Sequence, residues 1–504
     1  MKRQRFPSSS IALRIVRRCA FAAAACFSLS THARGQSQPV PVALTRVTIV
    51  DPLLDAPISD GTIVIEGERI AAAGPRNAIS IPRGARVIDA RNAYVIPGLW
   101  DMHAHMAQPL APGLELEANA GYFFPLFIAH GVTGVRDMAG DISALRRWRA
   151  EIARGERIGP RLIITGEKLG KGPVVPGAPF PIRNRADIEK SVRALWDSGA
   201  AFVKLDDIEP ALFGMLTSEA WRYNLRVAGH VEAHLSVREM ARAGFRSVEH
   251  LDGLLLATNN GEDSLRRALV RNSEATMLHR LLVKLGIRAA IPYPDAALLP
   301  GYSAPRADSL FELFRVTGTW QCPTLRLLGA LYHQPDVNLR LASDSLLLRQ
   351  VPSPWNGYAA APFDSMHPQA RVYARMQEIV RGMARRDVGM LAGTDTPGLF
   401  AVPGKSLHEE LGLLVAAGLT PRQALRAATT GPADFLEARD SLGTIRVGAY
   451  ADLVVLDADP LANIANTQRI KSVFARGRYF DRAALDRLIG EGARAAQRVR
   501  TAVP

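Results

Sequence analysis

Residues 97–105 read Pro-Gly-Leu-Trp-Asp-Met-His-Ala-His. A Pro-Gly turn leads into a short apolar run, and the run ends in two histidines spaced i, i+2. Such positions share one face of a strand, so the imidazoles of His103 and His105 point the same way, about 7 Å apart along the chain. That spacing suits two ligands on one metal at a strand's end. Taken alone, His-x-His also describes an ordinary polar strand end.

Moving outward, 99–102 is the first of eight short apolar runs; the others are 132–136, 161–165, 201–205, 226–230, 246–250, 319–325 and 389–394. Amphipathic helical patterns separate them. Alternating strands and helices argue for a parallel sheet, and eight repeats argue for an α/β fold of the (β/α)8 TIM-barrel type over 97–439. The wide spacing of the later strands leaves room for insertions at 253–315 and 326–385. The Gly- and Pro-rich loop 166–183 suits a rim or lid. Before the barrel, 42–50, 62–66, 69–73, 86–90 and 93–96 alternate apolar and polar residues, as half-buried strands do. The same texture returns at 442–459 and 470–480. These two regions, 40–96 and 440–485, are expected to form one composite β-sandwich, with the barrel between them and a surface helix at 481–500.

Four further residues end later strands: Lys204 in FVKL, His230 in VAGH, His250 in SVEH and Asp395 in LAGTD. In a (β/α)8 barrel the strands' C-terminal ends converge on the face that carries the active site. Three histidines satisfy a single zinc with an open position. Four histidines, a carboxylate and a lysine suit two ions. Lys204 has two readings. It is either an ion-pair lysine beside Asp206 and Asp207, or a lysine carboxylated by CO2 whose carbamate bridges two metals. Asp395 is either a turn residue or a ligand that also accepts a proton from metal-activated water.

The remaining candidates carry blander expectations. His130, His279, His333 and His367 read as structural or surface residues, and HVEAH (230–234) lacks the order of a zinc-protease helix. His408 is expected to open a helix, within reach of the ligands. Glu409 and Glu410 read as solvated or capping. Glu249 is expected to point away from the barrel interior as a packing or ion-pair residue, and Arg136 to brace the second strand to Asp137.

The chain has 504 residues, 48% hydrophobic and 22% charged, enough for a sizeable core. Disordered, collagen-like and small disulfide-scaffold chains are excluded. No uncharged apolar run reaches the length of a membrane span, so no integral membrane segment is expected in the mature chain. Residues 1–33 hold Lys2, Arg3, Arg5, Arg14, Arg17 and Arg18 without an acid, then an apolar stretch from Cys19 to Leu29 and the ending Thr31-His32-Ala33. That is the order of a secretory signal peptide, and it predicts a periplasmic or secreted protein. Its removal takes the formal charge from +14 to +8, and no lysine stripe with interleaved aromatics remains to bind nucleic acid. Of Cys19, Cys26 and Cys322, only Cys322 lies beyond that segment, which precludes an internal disulfide.

The segments PGLWDMHAH, HGVTGVRD, VAGH, RSVEHL, GTWQCPTL, LAGTDTPG, LHEELGLLVAAGLTPRQALRAATTGPADFL and GTIRVGAYADLVVLDADPL resemble the amidohydrolase superfamily, in its imidazolonepropionase-like, secreted dipeptidase-like branch. The resemblance runs from about residue 42 to 480 and implies a binuclear centre, most often of zinc. His103, His105 and Asp395 would hold the more buried ion and His230 and His250 the other. A carboxylated Lys204, which matches the branch's bridging lysine, and a hydroxide would join them. The resemblance does not fix the substrate; the expected reaction is hydrolysis of an amide bond in a small molecule or short peptide, with Asp395 as proton shuttle. Hydrolysis of a lactone, ester or phosphotriester by the same centre is the second enzymatic reading, and a non-catalytic extracytoplasmic binding protein the competing class. A homo-oligomer is left open.

Overall fold

The structure is a computed structural model that describes residues 40–110, 113–171, 180–274, 294–332, 344–348 and 368–502. The signal-peptide segment 1–33, residues 172–179 of the rim loop, parts of both insertions (275–293, 333–343 and 349–367), and His279, His333 and His367 lie outside them.

The alternating segments form strands β1 (Val42–Ile49), β2 (Ile58–Glu66), β3 (Arg69–Pro75), β4 (Arg86–Asp89) and β5 (Tyr94–Pro97). The hairpin between β2 and β3 closes through Gly67 at a φ of 57°, a left-handed turn conformation that glycine adopts freely. Strand β5 pairs antiparallel with Leu453–Leu456, which in turn pairs with Ile470–Ala475 and then Arg478–Phe480. Segments far apart in the chain, Tyr94–Pro97 and Leu453–Leu456, thus share one mixed sheet of eight strands. Leu44, Val47, Ile63, Ile65, Val95, Leu453, Val455 and Phe474 pack as its apolar core. Burial of these branched side chains drives the pairing, at roughly 1.5–3 kcal/mol each.

Beyond β5 the strands become short and parallel. Strands β6 (Leu99–Ala104), β7 (Val132–Asp137) and β8 (Arg161–Ile163) form one sheet. Strands β9 (Leu169–Gly170), β10 (Phe180–Pro181), β11 (Val203–Leu205), β12 (Val227–Gly229), β13 (Phe245–Glu249) and β14 (Trp320–Cys322) form another, in the order β10-β9-β11-β12-β13-β14. Every residue of β6 and β7 is buried, as expected of strands covered on both sides. Helices between them start at capping residues: Asp141 accepts from the Ala144 amide, Asn184 from Asp187 and Ser236 from Glu239.

The eighth expected strand, 389–394, forms only a single-residue bridge, at Met390. It is nonetheless hydrogen-bonded on both sides. Gln321 N donates to Gly389 O at 2.9 Å and Leu391 N to Gln321 O at 2.8 Å, while Met102 N donates to Ala392 O at 2.9 Å. The segment therefore runs between β14 and β6 and brings Asp395 beside the end of β6. The described parts of the insertions carry helices, among them Glu262–Glu274, Ala304–Thr317 and Pro368–Arg385.

Gly229 ends β12 immediately before His230. Its φ is 147°, and a Cβ there would stand 2.0 Å from the Leu205 carbonyl oxygen of the neighbouring strand. Gly229→Ala should therefore destabilise the fold by about 3 kcal/mol or more. Gly67→Ala, left-handed but facing open space, should cost only about 1 kcal/mol. Urea denaturation of both variants checks the contrast.

Candidate metal centre

The end of β6 sets the first two histidines. His103 is fully buried and His105 partly exposed. Their ring centroids are 5.3 Å apart. Asp395 Oδ1 lies 3.2 Å from His103 Nε2 and 3.1 Å from His105 Nε2. All three donor atoms fall within 4.8 Å of one another. Asp395 reaches this place because its backbone turns left-handed (φ 59°) and its amide donates to His103 O at 2.8 Å. Buried Asp101 ties the two segments together: it accepts from the His103 amide at 3.2 Å, the Thr394 amide at 3.0 Å and the Thr394 hydroxyl at 2.6 Å. Burial pushes the Asp101 carboxyl up to about 7. Burial would likewise raise Asp395, but the neighbouring imidazoles of His103 and His105 outweigh it and hold the carboxyl well below its usual range.

Lys204, His230 and His250 come from β11, β12 and β13. The His250 ring lies 4.5 Å from that of His103, and 5.1 Å from His230, on which it stacks. Burial lowers His250 to about 3 and lowers His230 as well, with Lys204 adding to the effect on His230. Lys204 is fully buried, and its Nζ has no hydrogen-bond partner. Burial lowers its pKa; Glu249 and Asp395 pull it the other way. Asp206, one candidate partner, pairs instead with Lys168 at 2.7 Å.

Each imidazole is held from behind through Nδ1. His103 donates to Glu249 Oε2 at 2.8 Å, His230 to Asp252 Oδ2 at 2.8 Å, and His105 lies 3.3 Å from Ala139 O. His250 Nδ1 pairs with the Thr324 hydroxyl at 2.7 Å. This is how metal-binding histidines are oriented, with the second ring nitrogen left for the ion. His103 Nε2 is buried without a hydrogen-bond partner, as is Lys204 Nζ. Orphaned buried donors amid imidazole and carboxylate groups fit divalent ions.

The sequence profile of the Amidohydrolase family matches residues 94–479. The chain belongs to the amidohydrolase family. A dihydroorotase of Anaeromyxobacter dehalogenans (strain 2CP-C) is 36% identical over 74 residues, 15% of this chain and 16% of the relative. A 5-methylthioadenosine/S-adenosylhomocysteine deaminase of Nitratidesulfovibrio vulgaris (strain DP4) is 39% identical over 83 residues, 15% of this chain and 18% of the relative. The matches thus span less than a fifth of these relatives' length. In solved structures, a bottromycin amidohydrolase superposes with a TM-score of 0.66 at 24% identity, covering 91% of each chain. A Xaa-Pro dipeptidase with bound methionine superposes at 0.62 and 19% identity, covering 88% of this chain and all of the other. At these identities the structures establish the fold alone.

Several residues of this amidohydrolase sit elsewhere than the sequence suggested. Glu249 faces inward: it shares a strand face with Ser247, whose hydroxyl donates to it at 2.5 Å. His250 then turns inward as well, because its φ of 56° breaks the alternation at the strand's end. Arg136 braces β7 to Glu249, at 3.0 Å, rather than to Asp137. Glu410 is buried and caps Leu325–Tyr332 from another helix, accepting from Leu325 N at 3.0 Å and Arg326 N at 2.7 Å. His234 lies in a turn, 3.0 Å from Asp207. Thr324 and Asp252 escaped notice because no spacing rule links a threonine or aspartate to a histidine on the neighbouring strand or turn.

His408 is no neighbour of the ligands. Its Nδ1 pairs with the Thr467 hydroxyl and its Nε2 meets His130 O, both at 2.9 Å. Burial pushes His408 down to about 3 and His130 to about 4. Both stay neutral in the folded chain while the unfolded chain protonates near 6.5. Their contribution is complete above that value and is lost as the pH falls towards 4. Each should steepen acid destabilisation by about 1.4 kcal/mol per pH unit in this window. His408→Gln should lower the pH dependence of stability by about 1.4 kcal/mol per pH unit in urea titrations between about pH 6 and pH 4.

Proposed function

We propose that this protein is a metal-dependent hydrolase that cleaves an amide C–N bond of a small molecule or short peptide. The observation that carries this reading is the convergence of four imidazoles, Asp395 and the unpartnered Lys204 amine, with every Nδ1 engaged from behind. The two parallel sheets, joined through segment 389–394, are read as a (β/α)8 barrel over 97–439. The eight-stranded sheet is read as a composite β-sandwich of 40–96 and 440–485. The hydrogen bonds of Ala392 and Gln321 on one side, and of Ala201 N to Ile164 O at 2.8 Å on the other, support closure of the barrel.

His103, His105 and Asp395 would hold one divalent ion and His230 and His250 a second, zinc being favoured by the imidazole-rich donor set. When bound, such a pair polarises a carbonyl and brings the pKa of water to about 7. Lys204 would serve both ions as a carbamate. Its ammonium would first lose one proton; the free amine would then add to CO2, forming an N–C bond and releasing a second proton, which turns a buried cation into an anionic donor. An unpaired ammonium among metal ligands is otherwise costly. Asp395 would take the proton of the attacking water and return it to the departing nitrogen, general acid–base work expected to contribute about 10²–10⁴-fold. His103 and His105 flank that carboxylate, and the Asp101–Thr394 hydrogen bonds fix the backbone that carries it. The basic, apolar and small-residue order of residues 1–33 supports export to the periplasm or beyond.

Asp395→Asn should lower kcat at least about a hundredfold on any substrate found in a panel of dipeptides, N-acyl amino acids and lactones, with the fold retained by circular dichroism. Near-normal kcat would remove Asp395 from its role. Activity confined to the lactones would replace amide by ester chemistry. Electron density at Lys204 in zinc-loaded, bicarbonate-supplied crystals should show the carbamate; a bare amine would remove the bridge.

A further inference from the structure

Beneath the ligands lies a fully buried ion pair that the hydrolytic reading does not use. Arg136 on β7 and Glu249 on β13 are both 0% exposed. Arg136 Nη2 donates to both Glu249 oxygens, at 3.0 and 3.1 Å. Its Nη1 donates to the Ser247 hydroxyl at 3.1 Å, and its Nε to Met102 O, next to His103, at 2.6 Å. The guanidinium carbon lies 4.9 Å from the centre of the Phe435 ring and 5.6 Å from that of Phe202. Glu249 also accepts from the Ser247 hydroxyl at 2.5 Å and from His103 Nδ1 at 2.8 Å.

Resting on the metal-site reading above, we infer that Glu249, held by Arg136, is a positioning residue that fixes His103 as an Nε2 ligand and sets the affinity of the more buried ion. A neutral imidazole carries one N–H and one lone pair. With Nδ1–H donated to Glu249, the lone pair lies on Nε2, on the side of Asp395. An anionic acceptor makes the ring a stronger electron donor than a neutral one would. Glu249 is not itself a ligand, although one of its oxygens, a His103 ring nitrogen and Cys322 Sγ lie within 4.8 Å of one another. Both of its oxygens accept from Arg136, and that guanidinium would repel a cation placed there. Through Met102 and Ser247, Arg136 also fixes the backbone of β6 and the face of β13 relative to each other.

A buried ion pair has a structural role too, so the test must separate the two. Zinc-loaded wild type, Glu249→Gln, Arg136→Met and the double variant are titrated with a competing chelator, and the Tm of each is measured in excess chelator. Glu249→Gln should weaken zinc retention about 10–100-fold and also lower Tm, because Arg136 loses its counter-charge. The double variant removes both charges; it should regain most of the lost Tm yet keep zinc binding at least about tenfold weaker. If zinc affinity returns together with Tm in the double variant, or is unchanged in a folded Glu249→Gln, the positioning role is wrong. Should Glu249→Gln fail to fold, the double variant alone decides. A wild type that retains no zinc overturns the metal-site reading and this inference together. Retention that is normal in wild type and variants alike overturns only this inference.

Discussion

The Nδ1 side of every imidazole in the centre is occupied, and that constraint leaves Nε2 as the free nitrogen of four rings whose neighbouring centroids lie 4.5, 5.1 and 5.3 Å apart. A histidine free to rotate presents either nitrogen; one whose Nδ1 faces Glu249, Asp252, Thr324 or the Ala139 carbonyl presents only the other. The partner comes from a different strand or turn in each case, so the orientation of the rings depends on the register of the parallel sheets. A slip of one residue would reverse the facing of a strand's side chains. Gly229 illustrates how tight that register is, since it approaches Leu205 too closely to carry a side chain.

The sequence made much of this arrangement legible. Short apolar runs fall where parallel strands form, and the ligand candidates stand at their C-terminal ends, where a strand's last side chains emerge. Strand pairing between the two ends of the described chain followed from alternating apolar residues in both. Segment 389–394 was recognisable as an apolar run, although it pairs too irregularly to form an extended strand.

What was not legible depended on backbone reversals and long-range partners. Strict alternation puts Glu249 and His250 on opposite faces. The left-handed backbone at His250 brings both inward, and nothing in SVEHL announces it. Thr324 and Asp395 adopt similar positive φ values and likewise present side chains that simple alternation would misplace. Arg136 could choose among nearby acids by sequence alone; packing against Phe202 and Phe435 and its 113-residue reach to Glu249 are properties of the folded chain. Glu410 was read as a capping or solvated residue. The helix it caps is not its own, which a local pattern does not reveal.

The orphaned His103 Nε2 and Lys204 Nζ, with the Asp395 carboxylate beside the imidazoles, fit a centre built for cations. The most direct measurement of that claim is the metal content of the purified full chain after loading with zinc and removal of excess, determined by elemental analysis. The account predicts two tightly held ions per chain, following the two ligand groups of the six side chains. A content well below one ion per chain in correctly folded protein would contradict it.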